Sequence, residues 1–363
     1  MKADTFNHLS ARRWACHGRL SPQVSLRRNR PEQRTLRTVE AYSPLMSKTI
    51  ILGAGLAGLS AARQLQAHGH SVEIIDKGRG VGGRLATRRI GEARLDHGAQ
   101  FFTTRGAVFT ETIAQALDAG AVAEWCRGFA EQDGYPRYRG AHGMTSLAKW
   151  LAVDVPMKLG VEVDRIEMSK GQVSFVGKDD VTIAQAPLAI VTAPIPQMLN
   201  LFDRGNVQPD LDLDTMLRAT RYFATLALLA VVDGPPNIDE PGAMQFSNGP
   251  FTFIADNERK GISPVRALTF HAEHDYSLRR FDDDPEQVRA ELLEQAAPWI
   301  GDATVLESQL KKWRYAGPVT PLPKPTYVIE SDGARLALAG DAFAGPKVEG
   351  AFNSGHAAAL ELL

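Results

Sequence analysis

An apolar strand that runs into glycines, then a helix, then a second strand closed by an acid: this unit constrains the chain more than anything else in it. Thr49-Ile50-Ile51-Leu52 leads into Gly53-Ala54-Gly55-Leu56-Ala57-Gly58, as a buried parallel strand does before a tight turn. Leu59, Ala62 and Leu65 then fall on one side of a helix that Gly69 ends, and Ser71–Asp76 reads as the second strand. Glycines at this spacing are common by themselves. Flanked by strand and helix, and completed by Asp76 23 residues after Gly53, they read as a dinucleotide site. Gly53 permits the turn, Gly55 lets a pyrophosphate approach the backbone, and Gly58 lets helix and strand pack closely. Leu56 and Ala57 open the helix, whose free N–H groups and positive end suit phosphate. Asp76 can accept hydrogen bonds from a ribose diol and would repel a 2′-phosphate.

The segment after the acid bears on which dinucleotide is bound. Lys77-Gly78-Arg79-Gly80-Val81-Gly82-Gly83-Arg84-Leu85 keeps the chain tight against a cofactor through glycines such as Gly83, and Arg84 can neutralise a pyrophosphate. A site for nicotinamide alone has no need of it. Far downstream, Gly340-Asp341 follows an apolar strand, and Gly350-Ala351 stand at the start of a terminal helix. Aimed at the N1 and C2 carbonyl region of a flavin, that helix N-terminus would stabilise the negative charge formed on reduction. Asp341 would then hold the ribityl or pyrophosphate region.

Between these ends the pattern changes. Phe109, Ile113, Ala116 and Leu117 mark one helix, and Met144, Leu147, Ala148 and Leu151 another. Val161–Val163, Gln172–Val176 and Leu188–Val191 read as strands, and Thr225–Val232, Phe251–Ile254 and Ala267–His271 as an antiparallel sheet. Asp284, Pro285 and Gln287 open a helix through Val288, Leu292 and Ala296. The chain starts in a dinucleotide fold, leaves it, and returns.

Composition sets the outer limits. With 363 residues, 44% of them hydrophobic and 23% charged, there is apolar mass for two or three domains. The two cysteines, Cys16 and Cys126, form no CxxC and no Cys/His ligand set, so no metal is expected. Such cysteine usage fits a reducing, cytoplasmic setting. The longest apolar stretch, Ala224 to Val232, is far below the roughly 20 residues of a membrane span. Residues 1–45 carry one Lys and eight Arg against Asp4, Glu32 and Glu40, without helical or strand period. They are expected to be disordered and without function, with Met46 the natural start, rather than a nucleic-acid arm or a targeting signal.

The glycine motif, the acid, the Gly82-Gly83-Arg84 segment and the terminal Gly340-Asp341 together resemble the flavoproteins with two dinucleotide-binding motifs, the glutathione reductase and amine oxidase superfamily. Asp96-His97-Gly98-Ala99-Gln100-Phe101-Phe102, Leu268–His271 and Trp313–Ala316 look most like its renalase-like branch. The resemblance runs from about Lys48 to the C-terminus. It implies an α/β chain: a Rossmann-type FAD-binding domain of the glutathione reductase type, with an inserted mixed α+β substrate domain built on an antiparallel sheet. The FAD-binding domain would comprise 46–104, 141–200 and 330–363, and the substrate domain 105–140 and 201–329. Val163 would meet adenine through its backbone, Ala193-Pro194 would lie under the flavin domain, and Gln100 and Phe101 would border the isoalloxazine. With no cysteine near the C-terminal motif, FAD would be non-covalent.

The activity implied is hydride transfer to flavin N5 from 2- or 6-dihydro isomers of NAD(P), with reoxidation by O2 to H2O2. His271, Arg314 and Tyr315 would orient that substrate. The plainer readings are His271 as a packed core residue and the aromatics of the Trp313–Tyr315 run as core. Arg139 and His142 read as a solvated loop, and Asp282–Asp284 as surface charge and a helix cap. An amine oxidase and a non-catalytic flavin-binding protein stay open as alternatives. The first needs facing aromatics beside the flavin, and none follows Phe343 before Gly350.

Overall fold

The glycine turn sits at the centre of a six-stranded sheet, in a computed structural model that describes residues 48–129 and 133–363. The basic segment 1–45 lies outside the described residues. Strands follow the order Tyr327–Ser331, Ala334–Leu338, Leu188–Val191, Lys48–Leu52, Ser71–Asp76, Met157–Leu159. All neighbours are parallel except the first pair. A parallel sheet is covered on both faces, and the central strands show it: Ile50 and Ile51 are both fully buried but belong to opposite cores. Ile51 packs with Leu59, Leu65 and Ile74 under the helices Leu56–Ala67 and Val348–Leu362. Ile50 packs with Phe175, Val191 and Met198 on the side of a three-stranded antiparallel sheet, Arg165–Ser169, Gln172–Val176 and Thr182–Ala186.

A separate antiparallel sheet has the order Ala243–Gln245, Phe251–Asp256, Ala267–Ala272, Tyr222–Asp233, Thr304–Pro318. Its alternation sorts side chains between two faces. Leu226, Leu228, Leu268 and Phe270 pack against the helix Pro285–Ile300 through Val288, Leu292 and Ala296. Thr225 and His271, next in sequence to residues of that core, face the large cleft instead. The Asp284 carboxylate accepts from the backbone N–H groups of Glu286 and Gln287, the cap expected from the sequence.

Three expectations need correction. Val161–Val163 is not a strand. The edge strand is Met157–Leu159, after which the Gly160 and Val161 N–H groups bond to the Gly78 and Asp76 carbonyls at 2.9 and 3.0 Å and the chain turns away. Leu117 is exposed while Phe109, Ile113 and Ala116 are buried, because the apolar stripe of Ala107–Asp118 is one residue narrower than read. Thr304–Pro318 is a single 15-residue strand, where the sequence offers no strand signal and only the Trp313–Ala316 motif. It pairs along nearly its whole length with Tyr222–Asp233, yet only its last two residues are buried and apolar and charged residues mix along it, so no apolar period marks it.

Candidate active site

The glycines divide by what surrounds them. Gly53 has φ +114°, and its N–H bonds to the Ile75 carbonyl at 2.8 Å. A β-carbon there would lie 2.2 Å from Thr192 Oγ1. At Gly58 a β-carbon would lie 1.9 Å from the Gly53 carbonyl oxygen, so this glycine is where helix meets strand. At Gly55 a β-carbon would meet nothing within 4 Å. Nothing in the protein itself requires glycine at 55, and the space lies at the N-terminus of Leu56–Ala67, where phosphate is favoured. Asp76 closes the turn: its two carboxylate oxygens accept from the N–H groups of Ala54 and Gly78, both at 2.6 Å. Each oxygen keeps a further lone pair for a ligand.

A cleft of about 1600 Å³ opens in front of these glycines, well above the roughly 300–1,000 Å³ of a single drug-sized ligand site. Gly53, Gly55, Leu56, Ala57, Asp76, Lys77, Gly83, Arg84, Leu85, Phe101, Val163, Gly340, Asp341 and Ala351 all line it, with Ala193-Pro194. Gly58, Gln100 and Gly350 do not. Gly58 is pressed beneath the turn. Gln100 is 5% exposed and bonded inside the protein. Gly350 lies buried within the first turn of Val348–Leu362, a helix that begins two residues earlier than expected. The acid of that turn, Glu349, accepts from the N–H groups of Arg105 and Gly106 and so fastens the N-terminus of the helix Ala107–Asp118.

Arg84 and Asp341, each expected to contact the dinucleotide by itself, are bonded to each other at 2.5 and 2.7 Å. Arg84 also donates to the carbonyls of Tyr315 and Ala316, each at 3.2 Å. A pair made from the first and last segments of the fold, braced on the antiparallel sheet, thus forms one wall of the cleft.

The substrate-side candidates behave differently from one another. His271 lines the cleft and is held neutral, its pKa pushed down to about 3 by burial above all, with His97, Lys260 and His274 adding to it. His97 stacks on Trp313 at 5.4 Å, and Trp313 Nε1 donates to the His97 carbonyl at 2.7 Å. Burial, then Lys311, brings the His97 pKa to about 4, although Asp96 opposes this. Tyr315 lies edge-on to Tyr222 at 5.5 Å. Arg314 lines the cleft, but its guanidinium is paired with Asp282 and stacked 4.1 Å over Phe281. Its charge is therefore not free, and its partner Asp282 is exposed surface charge, as read from the sequence. Arg139 is not in a solvated loop: it is half-buried and donates to the carbonyls of Gly140 and Ala141.

Lys260 was missed. It is 1% exposed and bonded to the buried Asp96 at 2.7 Å. In sequence it sits in Asp256-Asn257-Glu258-Arg259-Lys260-Gly261, which looks like a charged surface turn, and no periodicity distinguishes it.

The two histidines give a pH dependence. Their folded pKa values lie below the unfolded value near 6.5, so unfolding takes up protons between about pH 6.5 and 4. Their contribution is complete above about pH 6.5 and declines as pH falls below it. His271→Asn is expected to reduce the acid-side slope of stability by about one proton, read from urea midpoints between pH 4 and 7. An unchanged slope would show that His271 is protonated in the folded protein.

Residues 113–363 match the sequence model for flavin containing amine oxidoreductases, and residues 51–115 that for an NAD(P)-binding Rossmann-like domain. The chain belongs to the flavin-containing amine oxidoreductase family. AofH of Mycobacterium tuberculosis, provisionally named a flavin-containing monoamine oxidase, is 36% identical over 227 residues, 56% of this chain and 47% of its own. The 1-hydroxycarotenoid 3,4-desaturase of a Flavobacterium is 41% identical over 58 residues, 16% of this chain and 12% of its own. The chain thus spans less than half of these curated relatives. Wild-type putrescine oxidase bound to putrescine has the same fold, with a TM-score of 0.63 at 14% identity over 87% of this chain and 98% of that one. A fatty acid isomerase from P. acnes aligns with a TM-score of 0.56 at 15% identity, over 75% and 86% of the two chains. The family is one of flavin-dependent oxidoreductases whose cofactor is FAD, and the open space at Gly55 fits its pyrophosphate.

Proposed function

We propose that this protein is a renalase-like, FAD-dependent oxidase whose substrate is a dihydronicotinamide dinucleotide with its hydride at ring position 2 or 6. One observation carries the choice of substrate. Among the described cleft-lining residues between 223 and 317, none is a carboxylate. That wall consists of Phe223, Thr225, Gln245, the neutral His271, His274, Phe281 and the run Lys312–Gly317. A protonated amine would find no counter-charge on it, whereas a dihydronicotinamide ring meets flat aromatic faces; the two cations of the wall, Lys312 and Arg314, are already bonded within the protein. Segments 46–104, 141–200 and 330–363 would hold the cofactor and 105–140 and 201–329 the substrate. Oligomeric state does not enter this reading, and neither nucleic acid nor membrane does.

Bound FAD supplies a two-electron acceptor that takes the substrate hydride and passes the electrons to O2, giving H2O2. The protein's part is to bind, orient and exclude water. Gly55 leaves room for the pyrophosphate, Asp76 offers lone pairs to a ribose diol, and the Arg84–Asp341 pair shapes the wall between cofactor and substrate. Cys126 does not line the cleft, so a cysteinyl thioether to the flavin is not part of this reading. His271, Trp313 and Tyr315 orient the substrate ring. Arg314 contributes stacking and shape more than free charge.

An amine oxidase remains the second reading, favoured by the family match and by AofH. Titrating the oxidised holoprotein with NAD+, the product of the proposed reaction, is expected to perturb the flavin absorbance, and putrescine is expected not to. Perturbation by putrescine alone would transfer the assignment to the amine oxidase reading.

A further inference from the structure

Behind the cleft wall lies a buried polar chain that the reaction just described does not use. Lys260 Nζ has three donors and three partners: Asp96 Oδ2 at 2.7 Å, Gln100 Oε1 at 3.3 Å, and the Trp125 ring with its centroid at 5.0 Å. The other Asp96 oxygen accepts from Thr87 Oγ1 at 2.5 Å and from the Met144 N–H at 2.8 Å. A buried ion pair adds little stability over an apolar pair of the same size. What it can do is dictate which way a neighbouring amide points.

An ammonium is donor-only, so the Gln100 atom facing Lys260 has to be the carbonyl oxygen. The Asp96 backbone carbonyl, 2.6 Å from Gln100 Nε2, imposes the same orientation from the other side. The amide NH2 thereby reaches His271 Nε2 at 3.3 Å, with the Gly98 carbonyl beside it at 3.4 Å. A ring nitrogen that faces a donor must accept, so the proton of the neutral imidazole sits on the other nitrogen.

We propose that Gln100, clamped between Lys260 and the Asp96 carbonyl, is a positioning residue that fixes His271 as its neutral Nδ1–H tautomer. The tautomer is readable without any substrate, so this proposal stands or falls separately from the dihydronicotinamide reading, on which only its value to turnover rests.

The test is nitrogen NMR of histidine-labelled, FAD-loaded protein, with the His271 signals assigned by their loss in His271→Asn. Wild type is expected to show a protonated Nδ1 and an unprotonated Nε2 at pH 7. Gln100→Leu, which leaves the Lys260–Asp96 pair in place, is expected to shift His271 to a mixture of tautomers. With FAD still bound, flavin reduction should slow by about tenfold or more through loss of orientation. The double variant Lys260→Met with Asp96→Asn removes one clamp without stranding a buried charge and is expected to give an intermediate mixture. A wild-type His271 protonated on Nε2 overturns the proposal, and that measurement needs no variant to fold. An unchanged tautomer in Gln100→Leu overturns it equally.

Discussion

Gly55→Val is expected to fold as the wild-type chain does and to purify colourless. The added side chain enters space that no atom of the protein occupies within 4 Å of its β-carbon, and the backbone there, at φ −75°, accepts any residue. The melting temperature of the FAD-free variant should therefore match that of FAD-free wild type, since substitutions that disturb no packing cost within about 0.5 kcal/mol. FAD affinity should fall by about a hundredfold or more, because the pyrophosphate can no longer reach the helix N-terminus. Gly58→Val is the opposite case. Its β-carbon would lie 1.9 Å from a backbone oxygen and 3.3 Å from Ile51 Cγ2, so the helix and strand must part and the fold itself is lost. Calorimetry and flavin absorbance of the two variants check both statements. Equal flavin content in Gly55→Val and wild type would remove the pyrophosphate from this glycine.

The second large effect is expected at the wall of the cleft. Asp341→Ala strands the Arg84 guanidinium with only the Tyr315 and Ala316 carbonyls as partners. Removing one member of a largely buried pair costs about 3 kcal/mol, and the FAD-free protein should lose that much in urea unfolding. Arg84→Met added to Asp341→Ala should recover most of the loss, because no unpaired charge then remains. A loss under about 0.5 kcal/mol in Asp341→Ala would mean that the pair is made only loosely in solution. Flavin content should fall in both variants, since both side chains line the cleft.

Much of this was legible in the sequence where chemistry and local periodicity coincide. The strand before Gly53, the helix after it and Asp76 at the end of the next strand each carry a short-range signal. The cap at Asp284 is local in the same way. The Thr304–Pro318 strand was not legible, because a half-exposed strand mixes apolar with charged residues, and its partner lies some eighty residues upstream. The buried Lys260–Asp96 pair was hidden for a related reason: in sequence a lysine among charges is a surface residue, and only tertiary packing takes it out of water. Arg84 and Asp341 were each singled out, but as independent contacts to a dinucleotide. That they meet each other follows from the parallel sheet, which opens the C-terminal ends of Ala334–Leu338 and Ser71–Asp76, three strands apart, onto the same edge, so the segments that follow them can reach each other. Gln100 was placed at the flavin from the resemblance, and the fold sets it one layer behind.

The central claim is most directly tested by anaerobic reduction of the holoprotein, followed at the flavin absorbance. The 2- and 6-dihydro isomers of NAD(P) are expected to bleach the flavin rapidly, one equivalent per flavin, with peroxide released once oxygen is admitted. Ordinary 4-dihydro NADH should be a poor reductant, because in the same pose its hydride is carried by a different ring carbon, and near-attack geometry tolerates little displacement. Monoamines and polyamines should leave the spectrum unchanged. Rapid bleaching by an amine, with none by the dihydronicotinamide isomers, would contradict the account.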